Sequence, residues 1–165
     1  MDDHHSHAPA LPFRHFLRVR YSECDAQKVV FNSRYTEYVD VAFTEFMRAL
    51  GYGAHAPDSN PELQLVKHTI EWRSSARFDD VLEIRVEALR LGTTSVTMRC
   101  EMRRAGEDAL LAQTETVYVH VDPHSFNKAP IPARLREALQ RGAPGVQVDH
   151  GHVAGASSAA AGVRR

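Results

Sequence analysis

The chain has 165 residues with 20 Lys and Arg against 21 Asp and Glu, a length for one domain with its own core rather than two. The balanced charge leaves no basic field for nucleic acid and no polybasic patch for a membrane surface. Two cysteines, Cys24 and Cys100, form neither a disulfide framework nor a zinc set, and with no membrane-length apolar run and no secretory pattern at the start, a reducing cytoplasm is the expected location.

Residues 1–12 hold His4, His5 and His7 and read as a disordered, solvated tail rather than a metal site. From Phe13 to Tyr21, Leu17, Val19 and Tyr21 alternate with Arg18 and Arg20, the pattern of a half-buried strand. A loop with Asp25 follows. Tyr35, Tyr38, Val39, Ala42, Phe43, Phe46, Met47 and Leu50 then repeat at i, i+3, i+4, i+7, which predicts a helix over residues 34–50 with one wide apolar face. Gly51 stops it, and Asn32 or Ser33 is the expected N-cap. Backbone N–H groups and the positive end of the helix dipole therefore face the loop that carries Asp25.

Glycine and proline crowd residues 51–61, which read as a loop. Four alternating stretches follow, around Val66 to Trp72, Leu82 to Ala88, Val96 to Met102, and Leu111 to Val121. The turns between them are short, so the expectation is an antiparallel meander whose apolar face is covered by the one large helix. Pro130 and Pro132 close the last strand, residues 133–141 suit a short helix, and residues 142–165, rich in Gly, Ala and Ser, read as a disordered tail. The domain proper is expected over 13–141.

In this order, Tyr21, Asp25, Val29, Val30, Phe31, Asn32 and Tyr35, followed by Ile70-Glu71-Trp72, Ala76 to Asp80, Leu89 to Ser95 and Pro130-Ile131-Pro132, form a pattern. It resembles the hotdog-fold acyl-CoA thioesterases of the 4-hydroxybenzoyl-CoA thioesterase type, over roughly residues 16–139. The resemblance implies an α+β hotdog fold, an antiparallel sheet wrapped around a central helix, and an acyl-CoA substrate. It also implies a homodimer or homotetramer with neither cofactor nor metal. It places Asp25 by the thioester and the Asn32 N–H on the acyl carbonyl. Lys28 departs from the pattern, since that family usually has glycine there, and a lysine resists the backbone angles that a glycine accepts.

Thioester hydrolysis needs an attacking oxygen and a stabiliser for the oxyanion, which a carboxylate and a helix N-terminus supply. Asp25 serves as nucleophile or as general base on water, and the sequence leaves both open, beside the plainer reading of a loop-capping aspartate. Tyr35 is a core residue that also suits the wall of an acyl pocket. Lys28 is a further candidate for contact with substrate. Arg90, Arg73 and Lys128 are candidates for the phosphates of coenzyme A, with Thr93 and Thr94 for its amides. Cys24 has no nominated histidine partner and reads as a packed residue, and His68 reads as a satisfied histidine on an apolar strand face. A non-catalytic hotdog module that binds acyl-CoA or acyl carrier protein is the alternative function, and a hydratase is a weaker rival for want of an Asp/His pair at suitable spacing.

Overall fold

In the computed structural model, which describes residues 11–53 and 61–153, the first strand, β1 (Phe13–Arg18), stops short of Tyr21. Val19 breaks away to exchange backbone hydrogen bonds with Asp79 and Asp80, and a single 3-10 turn, Tyr21–Glu23, follows. That turn rotates Tyr21 off the expected buried face: it is 81% exposed, edge-on to Phe78. The helix α1 (Arg34–Ala49) lies where the apolar stripe predicts, with Tyr35, Tyr38, Val39, Ala42, Phe46 and Met47 buried. Burial of each large side chain stabilises the fold by about 1.5–3 kcal/mol.

The remaining elements are β2 (Leu63–Trp72), β3 (Val81–Leu91), β4 (Ser95–Arg104), β5 (Leu110–His120), α2 (Ala133–Arg141) and β6 (Gln147–His150). Spatial order is β2-β5-β4-β3-β1-β6, antiparallel throughout except for β1 beside β6. Only β3, β4 and β5 form the expected meander. β2 crosses the end of the sheet to pair with β5, because the segment after Trp72 is tied down at Leu111 by the Arg73 and Ser74 N–H groups and at the start of α1 by Ala76.

One sheet face packs on α1 through Leu82, Ile84, Val86, Val96, Met98, Cys100 and Met102, all buried. Phe13 meets Phe46 edge-on at 5.4 Å, and Phe43 stacks on Tyr118 at 4.6 Å. The opposite face carries a ladder of opposed charges, in which Glu83 faces Arg103, Arg85 faces Glu101, and Arg99 lies between Glu87 and Glu115. Cross-strand pairs of opposite sign stabilise a sheet where like charges would oppose it. That ladder is why each strand alternates so cleanly in the sequence.

The expected disordered tail from 142 onward is corrected over its first part. Gly142 ends α2 at φ 63°, Ala143 is buried, and β6 adds a parallel edge strand to Arg14–Leu17. Asp149 then accepts the Gly151 and Val153 N–H groups, and Arg18 donates to the Gly151 carbonyl. A four-residue strand whose one apolar member is Val148 gives too short an alternation to read. The expectations for residues 1–10, 54–60 and 154–165 lie outside the described residues.

β6 covers His15, which is 0% exposed and 5.0 Å from the His150 ring. Burial first, and His150 second, hold its imidazole at about 4 against an ordinary 6.5, with Asp149 opposing. The unfolded chain therefore binds a proton that the folded chain refuses between those two values. Stability is complete above about pH 6.5 and is lost as pH falls toward 4, by on the order of 1–3 kcal/mol. Urea unfolding at the two ends of that window should show the loss in the wild type and a smaller one in His15→Leu. Equal slopes in the two proteins would exclude His15 as the cause.

Candidate active site

The loop that carries Asp25 is a closed turn. Cys24 and Val30 face each other as an isolated antiparallel bridge. The Asp25 N–H donates to the Val29 carbonyl at 2.9 Å, the Lys28 N–H to the Asp25 carbonyl at 2.9 Å, and the Phe31 N–H to the Glu23 carbonyl at 2.9 Å. Asp25 Oδ1 accepts the Gln27 N–H at 2.8 Å. The Asx turn of the plainer reading is thus present, and it occupies one oxygen; Oδ2 has no hydrogen bond among the described residues. Asp25 is half-buried at the edge of this turn.

Lys28 takes φ 62°, the left-handed region that favours glycine. The loop therefore keeps a glycine-type turn with a lysine forced into it, at a cost of about 1 kcal/mol. The side chain is exposed. Lys28→Gly is expected to raise stability by up to about 1 kcal/mol, visible as a melting temperature higher by a few degrees. A lower melting temperature in that variant would mean that the lysine side chain contributes more than its backbone costs.

Past the turn, the chain enters α1 with two donors unused. Arg34 N–H donates to the Phe31 carbonyl, Tyr35 N–H to Asn32 and Thr36 N–H to Ser33, but the N–H groups of Asn32 and Ser33 have no acceptor among the described residues. Ser33 is the N-cap, and neither its hydroxyl nor the Asn32 amide makes the expected capping bond, because Ser33 already has helical angles. Both N–H groups lie at the positive end of a 16-residue helix, where negative charge is favoured.

The surroundings hold this geometry rigid. Tyr35 is 1% exposed; its hydroxyl accepts the Ala76 N–H at 3.0 Å, and its ring meets Trp72 edge-on. The Ala76 carbonyl in turn accepts the Val30 N–H at 2.8 Å. Tyr35 therefore braces the loop against the β2–β3 crossover rather than facing an open pocket. Sequence reasoning also missed a second brace: the Tyr38 hydroxyl donates to Glu23 Oε2 at 2.7 Å, and the same oxygen accepts the Arg20 N–H. Burial and this bond push the Tyr38 hydroxyl well above the ordinary phenol range. An acid and a tyrosine 15 positions apart carry no local signal of such a bond.

His68 is satisfied, as expected, with Nδ1 against Thr116 Oγ1 at 2.7 Å and Nε2 against Thr36 Oγ1 at 3.5 Å. The Cys24 thiol donates to the Arg20 carbonyl at 3.9 Å, and its side chain packs against the core. Arg90, Thr93 and Lys128 gather at the other end of the sheet. The Thr93 carbonyl accepts the Ile131 N–H, and Lys128 bridges Val121. Arg90 lies 3.7 Å from Glu115 with its side chain exposed. That end lies beside the C-terminal half of α1, and a helix of this length spans about 24 Å. One chain thus brings Asp25 and Asn32 to one end and Arg90, Thr93 and Lys128 to the other.

Known proteins match this chain along most of its length. The thioesterase-like superfamily matches residues 19–139. The chain is 32% identical over 124 residues to the acyl-CoA thioester hydrolase YbgC of Escherichia coli, covering 74% of this chain and 92% of that protein. Among solved structures, a hypothetical protein from Aquifex aeolicus superposes with a TM-score of 0.70 at 28% identity, covering 78% of this chain and 99% of its own. A 1,4-dihydroxy-2-naphthoyl-CoA thioesterase from Synechocystis shares the fold, with a TM-score of 0.69 at 20% identity over 78% of this chain and 95% of that one.

Proposed function

Because this chain belongs to the thioesterase-like superfamily, we propose that it hydrolyses the thioester of an acyl- or aroyl-CoA to the free acid and coenzyme A. The observation that carries the reading is that one carboxylate oxygen, Asp25 Oδ2, and two helix N-terminal donors a few residues on, at Asn32 and Ser33, have no hydrogen-bond partner among the described residues. The acyl carbonyl oxygen takes the Asn32 N–H, and the Ser33 N–H strengthens the field there as negative charge develops.

Two routes share that geometry. With Asp25 as base, Oδ2 removes a proton from water, the hydroxide adds to the thioester carbon, and the intermediate collapses with cleavage of C–S. The proton then leaves Asp25 for the departing thiolate. With Asp25 as nucleophile, Oδ2 adds to the same carbon, the thiolate departs, and water hydrolyses the mixed anhydride. Release of free thiol from acyl-CoA by the purified protein tests the activity itself.

The reading also needs a second copy of the chain. Among the described residues β2 pairs with β5 alone, leaving its outer edge open, and Leu65, Val66 and Trp72 on it are 47%, 59% and 46% exposed. An open apolar edge is a liability unless paired or covered. Antiparallel pairing of β2 with its copy about a two-fold axis reverses the partner sheet. The partner then presents its far end, with its own copies of the arginine, threonine and lysine named above, on the side of this chain's Asp25. A dimer so formed gives the coenzyme A moiety basic and hydroxyl contacts that one chain holds too far away; a tetramer stacks such dimers. The exposed Lys28 beside Asp25 favours the second reading, a binding module that holds acyl-CoA without cleaving it.

A further inference from the structure

Behind the Tyr38–Glu23 brace of the Asp25 turn, an open groove of about 510 Å³ runs between β1, the N-terminal half of α1 and the end of β6. Its volume falls within the range of small-molecule sites, about 300–1,000 Å³. Neither Asp25 nor Asn32 lines it, and β6, the strand that no sequence pattern announced, supplies its His150 wall.

At the groove's floor lies His15, 0% exposed, with neither ring nitrogen hydrogen-bonded among the described residues. A buried polar group without a partner costs about 1–3 kcal/mol. Held near 4, the ring is neutral at physiological pH and offers one N–H donor and one lone pair. The apolar lining includes Leu17, Val41 and Phe78, the last two 45% and 56% exposed.

The groove is lined by Arg18 and Arg20 against Glu23, Glu37 and Asp79. Each acid is already engaged: Glu23 by the Tyr38 hydroxyl and the Arg20 N–H, Glu37 by Arg34, and Asp79 by Arg18. Among the described residues, by contrast, the Arg20 guanidinium makes no ion pair, and the rings of His150 and His152 make no hydrogen bond. The unpaired donors left to meet a ligand beside the apolar lining are those of Arg20, His150 and His152.

We propose that this groove binds a small organic carboxylate with an apolar body. The carboxylate lies against Arg20, His150 and the His15 N–H, and the body rests on Leu17, Val41 and Phe78. The groove adjoins the proposed catalytic turn through Glu23 and Tyr38 but holds neither Asp25 nor Asn32. The acid freed by thioester hydrolysis and a carboxylate from elsewhere share this chemistry.

Benzoate and hexanoate are suitable probes, titrated into the full-length protein by calorimetry with a parallel NMR titration of the histidine rings. The expected result is saturable binding of at least one probe that shifts the His15 ring resonances. Arg20→Gln and His150→Ala should each weaken it by about tenfold or more, the scale of one charge-assisted hydrogen bond, and Asp25→Asn should leave it unchanged. No saturable binding of either probe in the millimolar range would overturn the proposal. So would an affinity untouched by Arg20→Gln and His150→Ala, or one that Asp25→Asn weakens as much. Inhibition of thioester hydrolysis by the bound acid, relieved in Arg20→Gln, supports the groove with the reaction's own product as its ligand. Binding without inhibition supports it with a carboxylate of other origin.

Discussion

Asp25→Asn is expected to lower kcat/KM for acyl-CoA hydrolysis by about a hundredfold or more while leaving the fold intact. The asparagine keeps an oxygen at the Oδ1 position, so it can still accept the Gln27 N–H that shapes the turn. Its amide nitrogen replaces Oδ2, the oxygen without a partner, and has no lone pair to take a proton or attack a carbonyl. The structural role and the chemical role of the carboxylate thus sit on different oxygens, and this one substitution separates them. Thermal unfolding should stay within a few degrees of wild type. Full turnover in the variant would leave Asp25 only its Asx turn, and a large loss of stability would mean that the turn itself was broken.

A second large effect is expected at the open edge. Leu65→Lys combined with Val66→Lys places two charges on exposed positions of β2, where an isolated chain tolerates substitution within about 0.5 kcal/mol. In a dimer paired through β2 the same charges fall in the interface core, where unpaired buried charges are strongly unfavourable. Light scattering should report monomers for the double variant and at least dimers for the wild type, with far-ultraviolet circular dichroism unchanged. Hydrolysis should drop by more than about tenfold, because Asp25 loses the contacts that the partner brings to coenzyme A. A wild-type monomer with full activity would refute the edge pairing and its part in the site.

Much of this architecture was legible in the sequence because burial imposes period. The stripe from Tyr35 to Leu50 and the alternation from Val96 to Met102 each bury one face, and each lies where its pattern predicts. The resemblance in residues 16–139 led to the right fold family for the same stretch that the superfamily matches. Period says nothing about which strands are neighbours, so the crossover that seats β2 against β5 was missed. It depends on Ala76 reaching Tyr35 and on Arg73 and Ser74 reaching Leu111, contacts between residues far apart in the chain. Tyr21 was misplaced because a 3-10 turn ends the alternation within one residue step. β6 was missed because four residues cannot show a period.

The site divides the same way. Asp25 and Asn32 were readable as a carboxylate and a helix start. Which of their atoms lack partners among the described residues is disclosed only by the hydrogen bonds of the folded chain. Lys28 was readable as an anomaly, and its φ of 62° gives the anomaly its physical content, a glycine conformation carried by a lysine. Arg90, Arg73 and Lys128 were named for the phosphates and Thr93 and Thr94 for the amides; Arg90, Thr93 and Lys128 share one end of the sheet, whereas Arg73 sits by Leu111 at the start of β5. Their distance from Asp25 was hidden until the strands had an order.

The central claim is that this chain cleaves thioesters of coenzyme A rather than merely holding them. The most direct test incubates the purified wild-type protein with a panel of short, long and aromatic acyl-CoAs and follows free thiol and free acid together. The account predicts that at least one member releases both in equal amounts, catalytically and far above the spontaneous rate. Tight binding of acyl-CoA across the whole panel with no thiol released would contradict it and leave the chain a binding module.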